Sequence, residues 1–391
     1  MNPFRRRRAL FLSTALAAAV LSGAGSALFG LCGPFTDVSD VAFCPFVLEI
    51  FSLGITTGTS PTTYDPTSSV NRLQMAAFLS RTVDRVLLRG SRRAALDQFW
   101  TTQNDTVLGL TTLGSGPILL KSDGADIWVT HSAGASVSRV RASDGKLLET
   151  WTGASSAYGV LVAMGRIFVT GVTSPSNLYM IDPGQAAGAV TTVASKLGVD
   201  PTGIAFDGAR VWTANVSFPG SVSIVTPGAT IPWTVTTITT GFSNPAGALY
   251  DGAKVWVTDR GAGTLLKLDS AGATLQTVTV GTNPEFPAFD GTNIWVPNFS
   301  SSSVSVVRAS SGAVLQTLTG NGLSVPFAAA FDGERVLVAN ANGNSVSLWK
   351  AADLTALGFF ATGSSTGPRG ACSDGVNFWI ALNTAGKLAR F

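Results

Sequence analysis

The side chains that could perform acid–base catalysis are few and far apart in this sequence. His131 is the only histidine, and Glu149, Glu285 and Glu334 are the only glutamates after residue 100. General acid–base catalysis needs paired groups within hydrogen-bond reach of the reacting atoms. No motif pairs these residues, so we predict no catalytic residue, and an aspartate-based enzyme stays as the alternative.

Metal-binding chemistry is also poorly supported by the residue types present. The sequence has three cysteines and one histidine, without a His-x-His or Cys-x-x-Cys spacing. Structural zinc and iron sites need such ligand sets. We therefore predict no metal site and no cofactor, and we interpret Cys372 as a buried small apolar residue with a free thiol.

The elements that would position any site repeat along the chain. An aspartate-glycine pair recurs after residue 120, and a short apolar run follows each pair, as Ile294-Trp295-Val296 follows Asp290-Gly291. The pairs that recur at the period of the repeat are Asp123-Gly124, Asp207-Gly208, Asp251-Gly252, Asp290-Gly291, Asp332-Gly333 and Asp374-Gly375, and Met164-Gly165 stands in the remaining place. Seven copies with a period of about 42 residues predict an all-β fold, a seven-bladed β-propeller.

The repeat pattern also predicts how the ring closes. Asp-Gly between two apolar strands indicates a hairpin, and the repeated tryptophans indicate flat packing between neighbouring blades. Residues 106–112 resemble the outer strand of a repeat, whereas residues 387–390 form a third strand without a fourth. We expect the two segments to complete one shared blade, which removes the open sheet edges.

Residues 1–27 have the composition of a secretory signal peptide. Four arginines, Arg5 to Arg8, precede an apolar run from Ala9 to Leu21 and then small residues. The arginine run also fits a twin-arginine signal, and a retained membrane anchor is the alternative. Subtracting these arginines from the net charge of +3 leaves −1, which gives no general attraction for nucleic acid. After cleavage we expect no transmembrane anchor.

The remaining chain divides into a helical module at 28–90, a polar linker at 91–105 and the propeller at 106–391. One helix is predicted between Pro45 and Gly54. A second is predicted from about Arg72 to Leu88, where Met75 and Leu79 begin an apolar face, and we expect both helices to share a small core.

The helical module resembles an S-layer homology module. The motifs that carry the resemblance are Phe35-Thr36-Asp37-Val38, Leu53-Gly54-Ile55, Gly58, Tyr64-Asp65-Pro66 and the run from Val70 to Leu79. The resemblance implies attachment to cell-envelope polysaccharide, with Arg72 in the place of the family's sugar-contacting arginine. A guanidinium can donate two parallel hydrogen bonds to a carboxylate. Alternatively, Arg72 begins a helix and faces water.

This sequence departs from the family pattern in two ways. Asn71, Leu73 and Gln74 replace the threonine, alanine and glutamate around the arginine, and one module is present where the family usually has three. Cys32 and Cys44 flank the start of the module. Because an exported chain meets oxidising conditions, we predict a disulfide between them.

The propeller resembles the YVTN-type surface propellers and, more distantly, the NHL and virginiamycin B lyase propellers. Stretches such as Val336-Leu337-Val338-Ala339-Asn340 carry the resemblance. The lyases are known to use histidine and glutamate together at the centre of one face, which this sequence does not supply. Since His131 ends a strand where other repeats carry asparagine or aspartate, we interpret it as a loop cap.

A ligand of the propeller is expected on the face formed by the loops between blades and between second and third strands. The candidate rim residues in those loops are Tyr158, Asp259, Arg260, Glu285, Phe286, Asn298, Phe327 and Arg369. Aromatic and polar side chains together suit a protein, peptide or sugar. The sequence thus predicts an exported binding or scaffold propeller at the cell surface, in the periplasm or outside the cell. The alternative is a propeller hydrolase or lyase acting on an extracytoplasmic substrate.

Overall fold

The computed structural model describes residues 32, 34–40, 42–52, 55–88 and 109–391. The chain divides into two compact units, Met1–Gln98 and Phe99–Phe391. The predicted signal peptide at 1–27 and the linker at 91–105 lie outside the described residues. So do residues 106–108, at the start of the first predicted propeller strand, and therefore the boundaries of these segments stay predictions.

The described part of the N-terminal unit contains two helices, α1 (Cys44–Ser52) and α2 (Arg72–Leu88). Phe35, Val38 and Val47 are buried at its centre, and the Phe35 ring packs edge-on against Phe51 at a centroid distance of 5.0 Å. Within the described residues, no helix is both long enough and apolar enough to cross a membrane. The described core of this unit is small and combines aliphatic and aromatic side chains.

The aspartate of the Phe-Thr-Asp-Val motif fastens a distant loop to this core. Asp37 accepts hydrogen bonds from the backbone amides of Tyr64 and Asp65, at 2.9 and 2.7 Å. These bonds, the first of them above all, lower the pKa of Asp37. Because Tyr64 packs beside Phe35, the carboxylate holds the loop where its aromatic ring completes the core.

Helix α2 begins with a reciprocal cap. The Asn71 side chain accepts a bond from the Gln74 amide, and the Gln74 side chain accepts one from the Asn71 amide, both at 2.9 Å. This arrangement is a capping box, with asparagine and glutamine in place of the usual threonine and glutamate. Asn71 and Gln74 therefore differ from the family pattern in residue type but preserve the cap that starts the helix. Arg72 lies in the first turn of this helix.

Met75 and Leu79, which begin the apolar face predicted for α2, do not join the core. Met75 and Leu79 are 48% and 60% exposed, so the expectation of one core shared by both helices was wrong for these side chains. Phe51 and Tyr64 pack against Phe35 instead and fill that space. Helical periodicity marked an apolar face correctly but could not say what the face would pack against.

The structure pairs Cys32 with Cys44 as a disulfide, with 5.4 Å between their Cα atoms. Cys372 is a free, buried cysteine, and burial raises the pKa of its thiol to about 12. We expect the exported protein to contain the Cys32–Cys44 bond and an unreactive thiol. Mass analysis after alkylation under denaturing conditions, without reduction, should label Cys372 alone. Labelling of both Cys32 and Cys44 would contradict the predicted disulfide.

Residues 109–391, all of them described, form seven four-stranded antiparallel sheets, the blades of a propeller. The first described strand is β1 (Gly109–Thr112). Blades one to three are β2 (Pro117–Ser122), β3 (Asp126–His131), β4 (Ser136–Arg141), β5 (Leu147–Thr152); β6 (Ala157–Ala163), β7 (Arg166–Gly171), β8 (Asn177–Ile181), β9 (Thr191–Ser195); and β10 (Pro201–Phe206), β11 (Val211–Asn215), β12 (Ser221–Thr226), β13 (Thr234–Ile238). In each blade the strands pair in chain order.

The next three blades repeat this order, and the seventh departs from it. Blades four to six are β14 (Pro245–Tyr250), β15 (Val255–Asp259), β16 (Thr264–Leu268), β17 (Thr274–Thr279); β18 (Ala288–Phe289), β19 (Asn293–Asn298), β20 (Ser303–Arg308), β21 (Val314–Leu318); and β22 (Pro326–Phe331), β23 (Arg335–Asn340), β24 (Ser345–Lys350), β25 (Ala356–Ala361). Blade seven contains β26 (Pro368–Ser373), β27 (Phe378–Leu382) and β28 (Lys387–Arg390), with β1 as its fourth strand.

The shared blade is as predicted. Strand β1 pairs antiparallel with β28, from Gly109 opposite Arg390 to Thr112 opposite Lys387. The Leu113 amide donates to the Gly386 carbonyl at 2.9 Å and extends the seam. Because β1 supplies the outer strand, blade seven has the same four strands as the others.

Each aspartate of the repeat does more than start a hairpin. In blade three, one Asp207 oxygen accepts bonds from the amides of Ala209 and Arg210, and the other accepts the Trp212 indole N–H at 2.7 Å. The same indole bond joins Asp123 to Trp128, Asp251 to Trp256, Asp290 to Trp295 and Asp374 to Trp379. The carboxylate therefore ties the turn to the buried tryptophan of its own blade.

Two blades lack this tryptophan. In blade six Leu337 takes its place, and the Arg335 guanidinium donates to Asp332 at 2.8 Å, as Arg210 donates to Asp207 in blade three. In blade two, Ala163 pairs with Arg166, so Ala163 takes the aspartate position and Met164, with φ of 52°, takes the glycine position. Met164-Gly165 is thus offset by one residue from the predicted equivalence.

The first strand of each blade lines the axis, and neighbouring first strands nearly touch at one level. A Cβ atom on Gly203 would lie 2.3 Å from the Ala246 carbonyl oxygen, and one on Gly370 would lie 2.4 Å from that of Ile118. No side chain fits at such a separation, which explains glycine at these positions. These glycines therefore let the first strands of neighbouring blades pack closely together.

Candidate functional site

The loops between blades and the loops between second and third strands share one end of the propeller, which we call the loop face. The Asp-Gly turns form the opposite end, which we call the hairpin face. Six of the predicted rim residues meet near the axis of the loop face. This axial cluster consists of Tyr158, Arg260, Glu285, Phe286, Phe327 and Arg369.

Three aromatic rings form the floor of the axial cluster. Phe286 contacts Phe327 at a centroid distance of 5.0 Å and Tyr158 at 6.1 Å. Phe286 and Phe327 are buried, and Phe299 packs against the outer side of Phe327. The rings close the axis on this face and leave Tyr158 half-buried at the surface.

Backbone bonds between blades hold these rings in place. The Phe286 amide donates to the Phe327 carbonyl at 3.1 Å, and the Ala329 amide donates to the Phe286 carbonyl at 3.0 Å. The Thr130 hydroxyl donates to the Tyr158 carbonyl at 2.6 Å. In the strand register, Phe286 occupies the position that Gly203 has in blade three. A glycine-sized position has thus become a ring that enters the axis.

Two arginines and one glutamate surround the rings. Arg260 contacts Glu285 at 2.6 Å, and its Nε is buried with no hydrogen-bond partner. The Arg369 guanidinium lies 4.7 Å from the centroid of the Phe327 ring, a cation–π contact. Burial raises the pKa of Glu285, which both arginines oppose, and burial also raises the pKa of Tyr158. With Glu285 ionised, the cluster carries one net positive charge over an aromatic floor.

Asp259 and Asn298 belong to the loop scaffold and not to a ligand-facing surface. Asp259 is 1% exposed and accepts bonds from the amides of Ser243 and Asn244, at 2.7 and 2.9 Å. Asn298 is fully buried and donates to Ser303 and Ser305 while accepting from the Gly281 amide. Both side chains brace a loop between blades, so we leave them out of the axial cluster.

His131 occupies the corresponding place in blade one. It is fully buried, and its Nε2 lies 2.8 Å from the Ser138 hydroxyl. The Asn298 side chain makes the equivalent contact with the Ser305 hydroxyl at 3.0 Å. Its Nδ1 has no hydrogen-bond partner, and burial lowers its pKa despite the nearby Ser115 backbone. The side chain does not reach the axial cluster, which supports its interpretation as a loop cap.

A channel of about 500 Å³ runs along the axis beneath the axial cluster. Its wall is formed by the first strands of all seven blades, including Leu119, Val160 and Ile204. None of the lining residues, all of them described, is an aspartate or glutamate. Across the described parts of the chain, no group of three or more histidine, cysteine or acidic side chains is placed to hold a metal ion.

Sequence reasoning missed two features that a signal in the sequence could have revealed. The aspartate-to-tryptophan bond follows from a constant spacing of five residues, from Asp207 to Trp212 for example. The axial rings follow from the replacement of glycine by Phe286 at one position of the repeat. Both signals require the repeats to be compared residue by residue.

Residues 109–391 thus define a seven-bladed β-propeller. Residues 34–76 match the S-layer homology domain. S-layer homology domains generally bind cell-envelope polysaccharide, so the match places this protein at the cell surface or in association with the envelope. No curated protein matches the chain.

Solved structures share the propeller fold. Virginiamycin B lyase from Staphylococcus aureus aligns with a TM-score of 0.62 and 14% identity, over 73% of this chain and 98% of its own. A streptogramin B lyase gives 0.60 and 15%, over 74% and 99%. Kuenenia stuttgartiensis hydrazine synthase gives 0.61 and 17%, over 75% and 99%. At these identities the similarity is one of fold.

Proposed function

We propose that this protein is an exported, envelope-associated propeller that acts as a binding or scaffold protein. Its S-layer homology domain anchors it to envelope polysaccharide, and the propeller presents a ligand surface. The match of residues 34–76 to that domain carries the proposal. The Phe35 core, the Asp37 bonds and the Asn71–Gln74 cap support it, because these motif residues have structural roles here.

The polysaccharide contact is assigned to Arg72. Its side chain is exposed in the first turn of α2, beside the capping box. An exposed guanidinium with no described ion pair can bind an acidic sugar through two parallel hydrogen bonds. The amide groups at the start of the helix also favour an anion. Arg72 is therefore placed to bind a carboxylate of the envelope polymer.

The propeller ligand is assigned to the axial cluster. Arg369 lies on the Phe327 ring, Arg260 pairs with Glu285, and the net charge of the cluster with Glu285 ionised is positive. Aromatic rings beside guanidinium groups suit an acidic sugar or an acidic peptide. Backbone bonds between blades hold Phe286 and Phe327 in the floor, so we expect a ligand to bind without a large rearrangement of the ring.

A hydrolase or lyase is the second candidate, supported by the fold of the neighbouring lyases. One of those structures is a catalytically inactive histidine-to-alanine variant of virginiamycin B lyase with quinupristin. In this chain His131 is buried away from the axial cluster, and the channel wall carries no carboxylate among its described residues. The binding role therefore has more support than the catalytic one.

Envelope attachment should depend on Arg72. Arg72→Ala in the full mature chain is expected to reduce retention on purified envelope polysaccharide about fivefold, since an exposed ion pair contributes up to about 1 kcal/mol. Sedimentation of the polymer with bound protein measures the effect. Arg308→Ala, on the propeller, is the matched control and should bind as the parent does. An Arg72→Ala variant that binds like the parent would leave the module a structural element only.

One S-layer homology module with one exposed arginine is expected to bind the envelope polysaccharide weakly, so attachment needs a second contact. Linked contacts raise the effective concentration at a surface, through self-association or through the propeller. A fragment of residues 28–90 is therefore expected to bind the polymer more weakly than the mature chain. Tight binding by a monomeric fragment would contradict this part of the proposal without affecting the role of Arg72.

A further inference from the structure

The hairpin-face end of the axial channel has two unlike walls. The residue just before each Asp-Gly turn lines this end in most blades. In blades three to six it is aromatic, as Phe206, Tyr250, Phe289 and Phe331, all half-buried. In blades one and seven it is Ser122 and Ser373. An aromatic arc therefore faces a wall of small residues.

The small side chains of blades one and seven leave a space beside the aromatic rings. Close-packed rings at all seven positions would occupy this end of the channel, whereas the two serines leave a space beside the four rings. The hydroxyls of Ser122 and Ser373 are already engaged, because each accepts a bond from the amide of its own turn, Gly124 or Gly375. The space is therefore bounded by polar and apolar surface in about equal parts, with the four rings on one side.

One charge lies at this end. Lys121 is exposed and is the only charged side chain among the channel-lining residues, all of which are described. None of the ion pairs between described residues involves it. The aromatic floor closes the other end of the axis at Phe286 and Phe327. A ligand would thus enter from the hairpin face and meet Lys121 beside the rings.

We propose that this end of the channel binds a small aromatic carboxylate. The ring of the ligand packs against the arc formed by Phe206, Tyr250, Phe289 and Phe331, and its carboxylate pairs with the Lys121 ammonium. A volume of about 500 Å³ accommodates such a molecule. The site lies at the opposite end of the propeller from the axial cluster and does not depend on envelope attachment.

The four rings favour an aromatic ligand over a sugar ring. A sugar would bring hydroxyls against the rings of Phe206, Phe289 and Phe331, and buried polar groups without hydrogen bonds are costly. An aromatic ring has no such groups and gains from edge or face contacts with other rings. The carboxylate distinguishes the ligand from neutral hydrophobic molecules, because only the charged group pairs with Lys121.

Calorimetry with three small probes tests the site in the full chain. Indole-3-acetate is expected to bind with a stoichiometry of one, and indole-3-acetamide about tenfold more weakly, since a charge-assisted bond is lost. Glucuronate should not bind measurably. Lys121→Met should abolish the difference between the two indoles, whereas Lys146→Met, on an exposed turn of blade one, should preserve it.

A channel-filling variant gives an independent readout. Ser373→Phe places in blade seven the residue that three other blades carry at this position, so the fold should accept it and retain its melting temperature. Binding of both indoles should fall at least tenfold because the space is occupied. Absence of indole-3-acetate binding to the parent, tighter glucuronate binding, or unchanged binding in Lys121→Met or in a folded Ser373→Phe variant would each overturn the proposal.

Discussion

Removal of residues 104–113 is expected to make the protein aggregate. The deletion takes out β1 and leaves the outer edge of β28 with unpaired backbone groups, from Lys387 to Arg390. A strand edge that is normally covered becomes a template for pairing with another chain when it is exposed. Light scattering and the melting temperature of the purified variants measure the effect.

Deletion of residues 28–90 is the control for this prediction. It removes the S-layer homology domain and leaves every described propeller strand in place, so the ring should stay soluble and melt as the parent does. A synthetic peptide with the sequence of residues 104–113 should restore solubility to the first variant. Equal behaviour of the two deletions would contradict the role of β1 in closing the ring.

Replacement of Asp207 by alanine is expected to lower the free energy of unfolding by about 3 kcal/mol at neutral pH. The change leaves the buried Trp212 indole N–H and two turn amides without their acceptor and breaks the contact with Arg210. Asp269→Ala is a matched control, because Asp269 also accepts turn amides but binds no indole. Denaturant unfolding should show a smaller loss for Asp269→Ala.

The effect of Asp207→Ala should depend on pH in a fixed direction. Burial raises the pKa of Asp207, but hydrogen bonds from Trp212 and the turn amides outweigh it and hold the pKa below 3.8. A carboxyl whose pKa is lowered by folding stabilises the protein above its unfolded pKa and loses that contribution as pH falls. The difference between parent and variant should therefore be largest near pH 7 and shrink below about pH 4. A difference that grows in acid would exclude the ionised carboxylate as the cause.

The architecture was predictable because its signals are local and repeated. A glycine after an aspartate between two apolar strands indicates a hairpin. Seven repeats that contain such a turn or its Met-Gly equivalent leave little choice of fold. Even the sharing of blade seven followed from two incomplete repeats, residues 106–112 and 387–390. The offset at Met164 shows the limit of this approach, since φ near 52° at a methionine could not be read from the residue type.

The axial cluster was predictable only as a set of loop residues. Topology placed Tyr158, Arg260 and Arg369 on one face, but their contacts depend on how far each loop extends toward the axis. Asp259 and Asn298 lie on the same face and turned inward to brace loops instead. Sequence position gives the face of a propeller residue, whereas the direction of its side chain is set by packing between blades.

The seam between β1 and β28 also determines the order in which the ring can form. Blades one to six can assemble from neighbouring strands, hairpin after hairpin, as the chain emerges. Strand β1 must wait for residues 387–390, and bringing such distant segments together is slow because loop-closure entropy opposes it. Until then both β1 and the outer edge of β28 are unpaired. We expect the pairing of β1 with β28 to form last. Once it has formed, these two edges can no longer pair with another chain.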